Sequence, residues 1–193
     1  MLIIDDSLRS VMEKRKSTRR FVRDRLPRAA FNDLIWAACG HTHSYKAVKM
    51  RTAPSAGATY PIEIHCALED VEDMADGLYL FNMLTEDLQL KKPGRHFAEI
   101  DKASLDQDFI RRSHLNVFMI YDPSLIEQQY GDRSFRYAAF ECGHIAQNIM
   151  LMATSLGLGS VPVGAFDEKE LGEVLEIPKG KEVVYFVSVG MKG

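Results

Sequence analysis

The sequence lacks three features that would each indicate a class of protein. It has no apolar run long enough to cross a membrane, and its first residues, MLIIDDSLRSVMEKRK, carry acids where a signal peptide carries bases. It also has no basic excess, because 24 Lys and Arg stand against 27 Asp and Glu, giving a net charge of −3. We therefore expect neither nucleic acid nor a membrane as a partner, and we expect a cytoplasmic location.

Cysteine is scarce as well, and its spacing excludes a disulfide framework. Cys39, Cys66 and Cys142 are far apart in apolar surroundings, and the chain contains no C-x-x-C pair. This pattern indicates reduced thiols within the core. The pair His41 and His43 could bind a metal ion, but no third ligand lies nearby in the sequence. A polar loop is therefore the preferred interpretation, and we predict no metal site.

The chain has enough apolar residues to bury a sizeable core. With 193 residues, 46% of them hydrophobic, we expect residues 1–193 to form a single domain. The most apolar long stretch follows Ser134, where apolar residues recur at steps of three and four and also occupy the flanks. This spacing predicts a helix that is buried on all sides and ends at Gly157.

The remaining patterns predict an α+β fold, with a central mixed, mostly antiparallel sheet of about five strands flanked by helices. Alternating or continuous apolar runs predict strands at residues 62–68, 77–81, 88–90, 117–121 and 183–189. Further helices are expected after Ser7, Pro27, Ser104, Ser124 and Asp167. Residues 41–61 are rich in turn formers and predict a long loop without regular structure, a feature that is usually functional.

Three separated segments could each contact a flat, phosphorylated ligand. Arg15, Ser17 and Arg19 alternate in R-x-S-x-R, so an extended backbone would direct all three side chains the same way. The segment Pro54-Ser55-Ala56-Gly57 offers a hydroxyl group and a closely approachable backbone, and Pro162-Val163-Gly164 offers free main-chain donors. Each segment alone also fits a simpler interpretation, namely a solvated basic turn, an ordinary turn and the start of a strand.

Taken together and in this order, the segments resemble the FMN-dependent nitroreductase superfamily. The resemblance covers nearly the whole chain and is closest to the SagB-type dehydrogenase branch, which includes thiazole- and oxazole-forming oxidases. The segments that carry it are RTAPSAGATYPIEIH, GLYLFN, RSFRYAAFECGHIAQN and GLGSVPVGAF. The resemblance implies a nitroreductase-like fold and an obligate homodimer with two sites for non-covalent FMN at the subunit interface.

The resemblance also implies roles for individual residues. Arg15 and Lys192 would hold the FMN phosphate with help from Ser17, and Arg19 would face the pyrimidine edge of the flavin. The loop containing Ser55 would reach the flavin bound by the other subunit. The backbone around Gly164 and Ala165 would donate to the edge of the ring. Such a site requires no side-chain acid, and the weak catalytic candidates Tyr60 and Tyr130 are better interpreted as structural.

The implied activity is ping-pong hydride transfer from NAD(P)H, a transient co-substrate, to a small electron-poor acceptor such as a nitroaromatic or a quinone. Azoline oxidases of the branch carry a Lys-Tyr pair where this chain has Gln129-Tyr130, and glutamine cannot act as a cationic acid or as a base. This difference favours NAD(P)H-driven reduction. Two alternatives stay open: oxidation of a peptide or small metabolite, and a flavin-binding scaffold without turnover.

Overall fold

The computed structural model describes residues 8–83 and 85–193. In chain order the elements are α1 (Leu8–Lys14), α2 (Arg28–Cys39), β1 (His41–Tyr45), β2 (Val48–Arg51), β3 (Ile62–Leu68), β4 (Gly77–Asn82), β5 (Asp87–Pro93), α3 (Phe97–Ala103), β6 (Leu115–Tyr121), α4 (Glu127–Tyr130), α5 (Ser134–Ser155), β7 (Gly159–Val163), α6 (Glu168–Val174) and β8 (Glu182–Gly190). The predicted cap of α1, Ser7, lies outside the described residues.

Most of these strands form one sheet, called the main sheet below. In the described part of the chain its order is β5-β4-β3-β6-β8-β7, and every neighbouring pair is antiparallel. The α+β prediction with a mostly antiparallel sheet is thus confirmed, with β7 as a sixth strand. Because β7 is an edge strand, it accommodates Pro162, which lacks the N–H that a central strand would need.

Helices cover both faces of the main sheet. All residues of the central strand β6 are buried, and its side chains alternate between two hydrophobic clusters. Val117 and Met119 pack in the cluster that contains residues of α2 and α5. Phe118 and Ile120 pack in the cluster that contains residues of α3 and α6. The long helix α5 therefore lies on one face of the sheet, beside α2.

Helix α5 is not buried on all sides, so that prediction was wrong. Its sheet-facing side is buried, but Phe135 and Phe140 are 49% and 56% exposed, and His144 is exposed as well. The main sheet covers only one side of the helix, and an apolar sequence cannot show which side remains open. Its predicted end is confirmed, since Gly157 adopts a left-handed φ of 75° and Leu158 N–H donates to the Ala153 carbonyl.

Residues 41–61 were expected to lack regular structure, and this prediction was also wrong. Strands β1 and β2 form an antiparallel hairpin whose turn places Lys46 and Ala47 at φ of 46° and 65°. Most hairpin side chains are exposed, so no alternation of apolar and polar residues marks the strands in the sequence. The turn also lacks the Asn-Gly type of signal that this geometry favours.

The helix predicted after Ser104 instead ends there. Helix α3 precedes this residue, and Leu105 and Asp106 adopt left-handed φ values of 61° and 55° that a helix cannot begin with. At its start, the Phe97 N–H donates to the Glu69 side chain at 2.9 Å. The cap of α3 therefore comes from a residue distant in sequence, which local capping rules cannot predict.

Candidate functional site

Residues 17–21 and the C-terminal tail meet at the edge of the main sheet. Ser17 forms an isolated bridge with Ser160 of β7, where the Thr18 N–H donates to the Ser160 carbonyl at 2.8 Å. Phe21 forms a second bridge with Lys192. The R-x-S-x-R segment therefore runs beside the start of β7 and the C-terminal tail, close to both.

Two glycines allow this close approach. A Cβ atom at Gly159 would lie 2.8 Å from Thr18 Cγ2, and one at Gly190 would lie 2.9 Å from Phe21 Cδ1. Neither site could accept a larger residue without movement of the N-terminal segment. Gly159 therefore makes room for the chain's own residues.

The segments that meet here carry three cations, called the cation cluster: Arg15, Arg19 and Lys192, with Ser17 between the two arginines in the sequence. Arg19 and Lys192 are exposed and Arg15 is half-buried. Within the described part of the chain, no carboxylate forms an ion pair with any of the three. The Arg19 guanidinium instead lies 5.8 Å from the centre of the Phe109 ring. Unpaired cations held together in this way form a site suited to an anion.

Main-chain donors lie further along the same edge. Pro162 and Val163 end β7, and Gly164 and Ala165 follow as exposed residues. A Cβ atom at Gly164 would lie 3.3 Å from Tyr185 Cε2, so the backbone passes close over that ring. The Ala165 carbonyl accepts a hydrogen bond from Gln107 at 2.9 Å. Outside the strand ladders, the N–H groups of Gly164 and Ala165 donate to no other described residue, so they are available to a ligand.

The other predicted segment lies in a tight loop, the Ser55 loop (residues 54–60). Pro54 is exposed, and a single 3-10 turn spans Ala56–Ala58, with Gly57 at a φ of 59°. A Cβ atom at Gly57 would lie 2.7 Å from the Tyr130 hydroxyl, so a side chain there would displace that group, and the left-handed backbone also favours glycine. The Ser55 hydroxyl accepts the Tyr60 N–H at 2.9 Å and closes the loop.

Both tyrosines named as weak catalytic candidates have partners inside the chain. The Tyr60 hydroxyl accepts the Arg51 backbone N–H at 3.1 Å, and the Arg51 guanidinium lies 5.8 Å from the centre of its ring. The Tyr130 hydroxyl accepts from Gln129 at 3.3 Å, and its ring packs edge-on against Tyr137 at 4.9 Å. These contacts favour structural roles for the two tyrosines.

The structure does not bring the cation cluster and the Ser55 loop together. The C-terminal end of α5 leads directly into β7 and the cluster, whereas Glu141, near the other end of α5, faces Ser55. Glu141 and Ser155 are separated by about 20 Å along a helix that rises 1.5 Å per residue. Within one chain, the two predicted halves of the site therefore lie at opposite ends of α5.

Glu141 is the residue of this region that sequence analysis missed. Its side chain is 3% exposed, and burial raises its pKa from 4.5 to about 7, although the Ser55 hydroxyl opposes the shift by stabilising the ionised form. Its Oε2 atom has no hydrogen-bond partner among the described residues. The signal was present, because Glu141 is an acid three residues after Ala138 on the inward side of an apolar helix.

Comparison with known proteins identifies the family. Residues 12–191 match the nitroreductase family. A Methanocaldococcus jannaschii protein named as a candidate nitroreductase is 37% identical over 170 residues, which are 88% of this chain and 84% of that protein. The crystal structure of a candidate nitroreductase from Ralstonia eutropha is 26% identical and superimposes with a TM-score of 0.84, covering 97% of this chain and 84% of that one.

The fold and the match define an oxidoreductase of a family that is generally flavin-dependent. The chain belongs to the nitroreductase family. A chain of the Escherichia coli microcin synthetase complex shares the fold with a TM-score of 0.77, at 19% identity over 99% of this chain and 74% of that one. At this identity the likeness concerns the fold alone.

The described residues also lack two other features. Residues 8–83 and 85–193 contain no helix with the length and apolar character needed to span a bilayer. The same residues contain no group of three or more His, Cys, Asp or Glu side chains arranged to hold a metal ion. His41 and His43 lie on strand β1, where His41 contacts Ser44 and His43 contacts Thr42.

Proposed function

We propose that this protein is an FMN-dependent oxidoreductase that takes electrons from NAD(P)H and passes them to a small electron-poor acceptor. The observation that carries the proposal is the cation cluster, which lies beside the free main-chain donors that follow β7 in a chain of the nitroreductase family. When bound, FMN would supply two-electron chemistry, accepting a hydride from a reduced nicotinamide and delivering it to a nitroaromatic, a quinone or a similar acceptor in a second half-reaction.

The residues at the cluster fit a phosphorylated flavin. Arg15 and Lys192 would bind a terminal phosphate with help from the Ser17 hydroxyl, because charged donors without a carboxylate partner lose no ion pair when an anion arrives. Arg19 would place a fixed positive charge at the polar edge of the ring. The N–H groups of Gly164 and Ala165 would orient the ring by hydrogen bonds to its edge. The cation cluster can bind one terminal phosphate group, which FMN has and FAD lacks, so FMN fits the site better than FAD.

The absorption spectrum of freshly purified protein, followed by mass spectrometry of the chromophore released by heat, tests this proposal. We expect a flavin band and the mass of FMN. Finding FAD, or a colourless protein that cannot be reconstituted with FMN, would contradict the cofactor assignment.

We also propose the SagB-type branch, supported by the sequence segments given above and by the fold shared with the microcin synthetase chain. Peptide oxidation within that branch is the second candidate function. Gln129 favours NAD(P)H-driven reduction, since its carboxamide bonds Tyr130 and carries no charge. Mixing the protein with NAD(P)H under anaerobic conditions separates the two functions: rapid loss of the flavin band supports reduction, and a band that persists supports oxidation of another substrate.

We further propose an obligate homodimer. The surface formed by α1, α2, β1 and α5 surrounds a cavity of about 510 Å³ lined by Leu8, Trp36, Met152 and neighbouring residues. Trp36 is 52% exposed, and Phe135 and Phe140 of α5 are exposed as well. Large exposed apolar surfaces of this kind are typical of subunit interfaces. A second copy of the chain would cover these apolar surfaces. It would also bring its own Ser55 loop to the FMN that the cation cluster of the first copy binds.

A dilution series in the analytical ultracentrifuge tests the homodimer when absorbance is followed at protein and flavin wavelengths. We expect subunit dissociation and flavin loss to occur at the same protein concentration. A monomer that retains FMN would show that one chain forms the whole site.

The three free, buried cysteines support the cytoplasmic location that the sequence predicts.

A further inference from the structure

We propose that Glu141 is a positioning residue, which holds the Ser55 loop in the conformation that the cofactor site needs. The inference rests on the proposed function, in which this loop contacts the flavin of the partner subunit. It concerns a residue on α5 that lies outside the three segments from which the site was predicted.

The Ser55 loop has a strained backbone. Gly57, Ala58 and Tyr60 adopt left-handed φ values of 59°, 54° and 48°. This conformation costs a residue with a side chain about 1 kcal/mol or more, so Ala58 and Tyr60 adopt it only because surrounding contacts enforce it. Residues held in such conformations by their surroundings are enriched at functional sites. The contacts that hold the loop therefore determine what it presents to a ligand.

The Ser55 hydroxyl is the central contact of the loop. It accepts the Tyr60 N–H at 2.9 Å, which joins the two ends of the strained segment. A hydroxyl group that accepts one hydrogen bond can still donate its own proton. The Glu141 carboxyl group faces Ser55 from α5 and is the acceptor for that proton. The two contacts together fix the Ser55 side chain between the loop and the helix.

Glu141 reduces the stability of the fold at the position it occupies. Its neighbours on the same side of α5 are Ala138, Cys142 and Ile145, all buried, and a carboxyl group among them must be removed from water. The raised pKa of Glu141 reflects that cost. An uncharged residue would pack at this position with less penalty. A group retained at a cost to stability, in contact with a strained loop, indicates function rather than packing.

Hydrogen exchange of the full-length, unliganded protein tests the positioning role directly. We compare the wild type with Glu141→Met, Ser55→Ala and the double variant. Methionine keeps the shape of glutamate but accepts no hydrogen bond from Ser55. We expect the Tyr60 amide to exchange about tenfold faster in both single variants, the effect of losing one hydrogen bond to a charged group. The double variant should exchange no faster than Ser55→Ala alone, because that substitution already removes both contacts of the hydroxyl group.

Two controls separate positioning from general damage. Glu141→Gln keeps a side-chain acceptor for Ser55 and should retain the exchange rate of the wild type. Cys142→Ala changes the adjacent buried residue of α5 and should leave the Tyr60 amide unaffected. Unchanged exchange in Glu141→Met, or additive effects in the double variant, would overturn the proposal. If Glu141→Met does not fold, Glu141→Leu is measured in its place.

Flavin affinity provides the second measurement. FMN binding to Glu141→Met should weaken about tenfold, as expected for one lost contact of this kind, while the midpoint of thermal unfolding stays the same or rises. A purely structural role predicts instead that affinity and unfolding temperature fall together, and that result would contradict positioning. If the wild type binds no FMN, the proposed function fails, whereas exchange in the unliganded protein still decides whether Glu141 positions the loop.

Discussion

The two ends of α5 differ in how the fold treats charge. At the C-terminal end, the cation cluster is exposed or half-buried and has no ion-pair partner among the described residues. Near the N-terminal end, Glu141 is buried and faces a single hydroxyl group. Charge that remains in solvent costs the fold little and stays available to a ligand, whereas buried charge costs stability directly. The first end is therefore suited to binding an anion, and the second to holding the Ser55 loop in place.

The largest effect is expected from removing the buried charge. The folded-state pKa of Glu141 is raised from 4.5 to about 7, so the stabilising effect of its protonation is fully present below pH 4.5 and is lost as pH rises to about 7. Glutamine does not titrate. The free energy of unfolding of Glu141→Gln, relative to wild type, should therefore rise by about 3 kcal/mol across this range.

Urea denaturation of the flavin-free protein at several pH values measures this difference. Glu72→Gln, at an exposed position, controls for the substitution itself. A difference that does not change with pH would show that Glu141 keeps its ordinary pKa in the folded protein, and the contrast between the two ends of α5 would be lost.

The next effect concerns the exposed charges. Arg15→Ala should weaken FMN binding about tenfold to a hundredfold, because a charge-assisted hydrogen bond contributes about 1.5–3 kcal/mol. Fluorescence titration with FMN provides the dissociation constants. Arg95→Ala is the matched control, since the Arg95 guanidinium is already bound by Asp70 and Asp76. Equal affinities for Arg15→Ala and wild type would place the phosphate elsewhere, with Lys192 the next residue to test.

The smallest effect is expected at Gln129. Its carboxamide lies beside Gly57 and bonds Tyr130 within its own chain, so Gln129→Ala should change FMN affinity by less than about twofold, as is usual for exposed positions. The same titration measures it. If Gln129→Ala loses as much FMN affinity as Arg15→Ala, the residues near the Ser55 loop contribute as much to flavin binding as the cation cluster does.

The sequence predicted elements best where burial imposes a pattern. The strands around Cys66, Val117 and Val187 were anticipated because they cross the core, and the cap of α6 was anticipated because Asp167 accepts the Glu170 N–H within one turn. The β1–β2 hairpin was missed because its side chains face solvent. Helix α3 was misplaced because its cap, Glu69, comes from elsewhere in the fold.

The candidate site divides in a similar way. R-x-S-x-R could be identified from the sequence because alternation is a local property, and Ser17 does pair with Ser160 of β7, although the Arg15 N–H still closes the last turn of α1 on the Val11 carbonyl. The partner of that segment, the C-terminal tail with Lys192, follows from sheet pairing and was expected only through the resemblance. Glu141 was missed because the role of an acid in an apolar helix depends on the residues that pack against it, and the sequence does not show which residues those are.

By itself, the sequence determined the fold class, the family and the residue types suited to a phosphorylated ligand, because these depend on local periodicity and on motifs with fixed spacing. Tertiary structure decided which charges lack partners, which side of α5 stays open, and that the cation cluster and the Ser55 loop lie at opposite ends of one helix. These properties depend on contacts between residues such as Ser17 and Ser160, or Ser55 and Glu141, that are far apart along the chain. Only the folded backbone brings such residues within reach of each other.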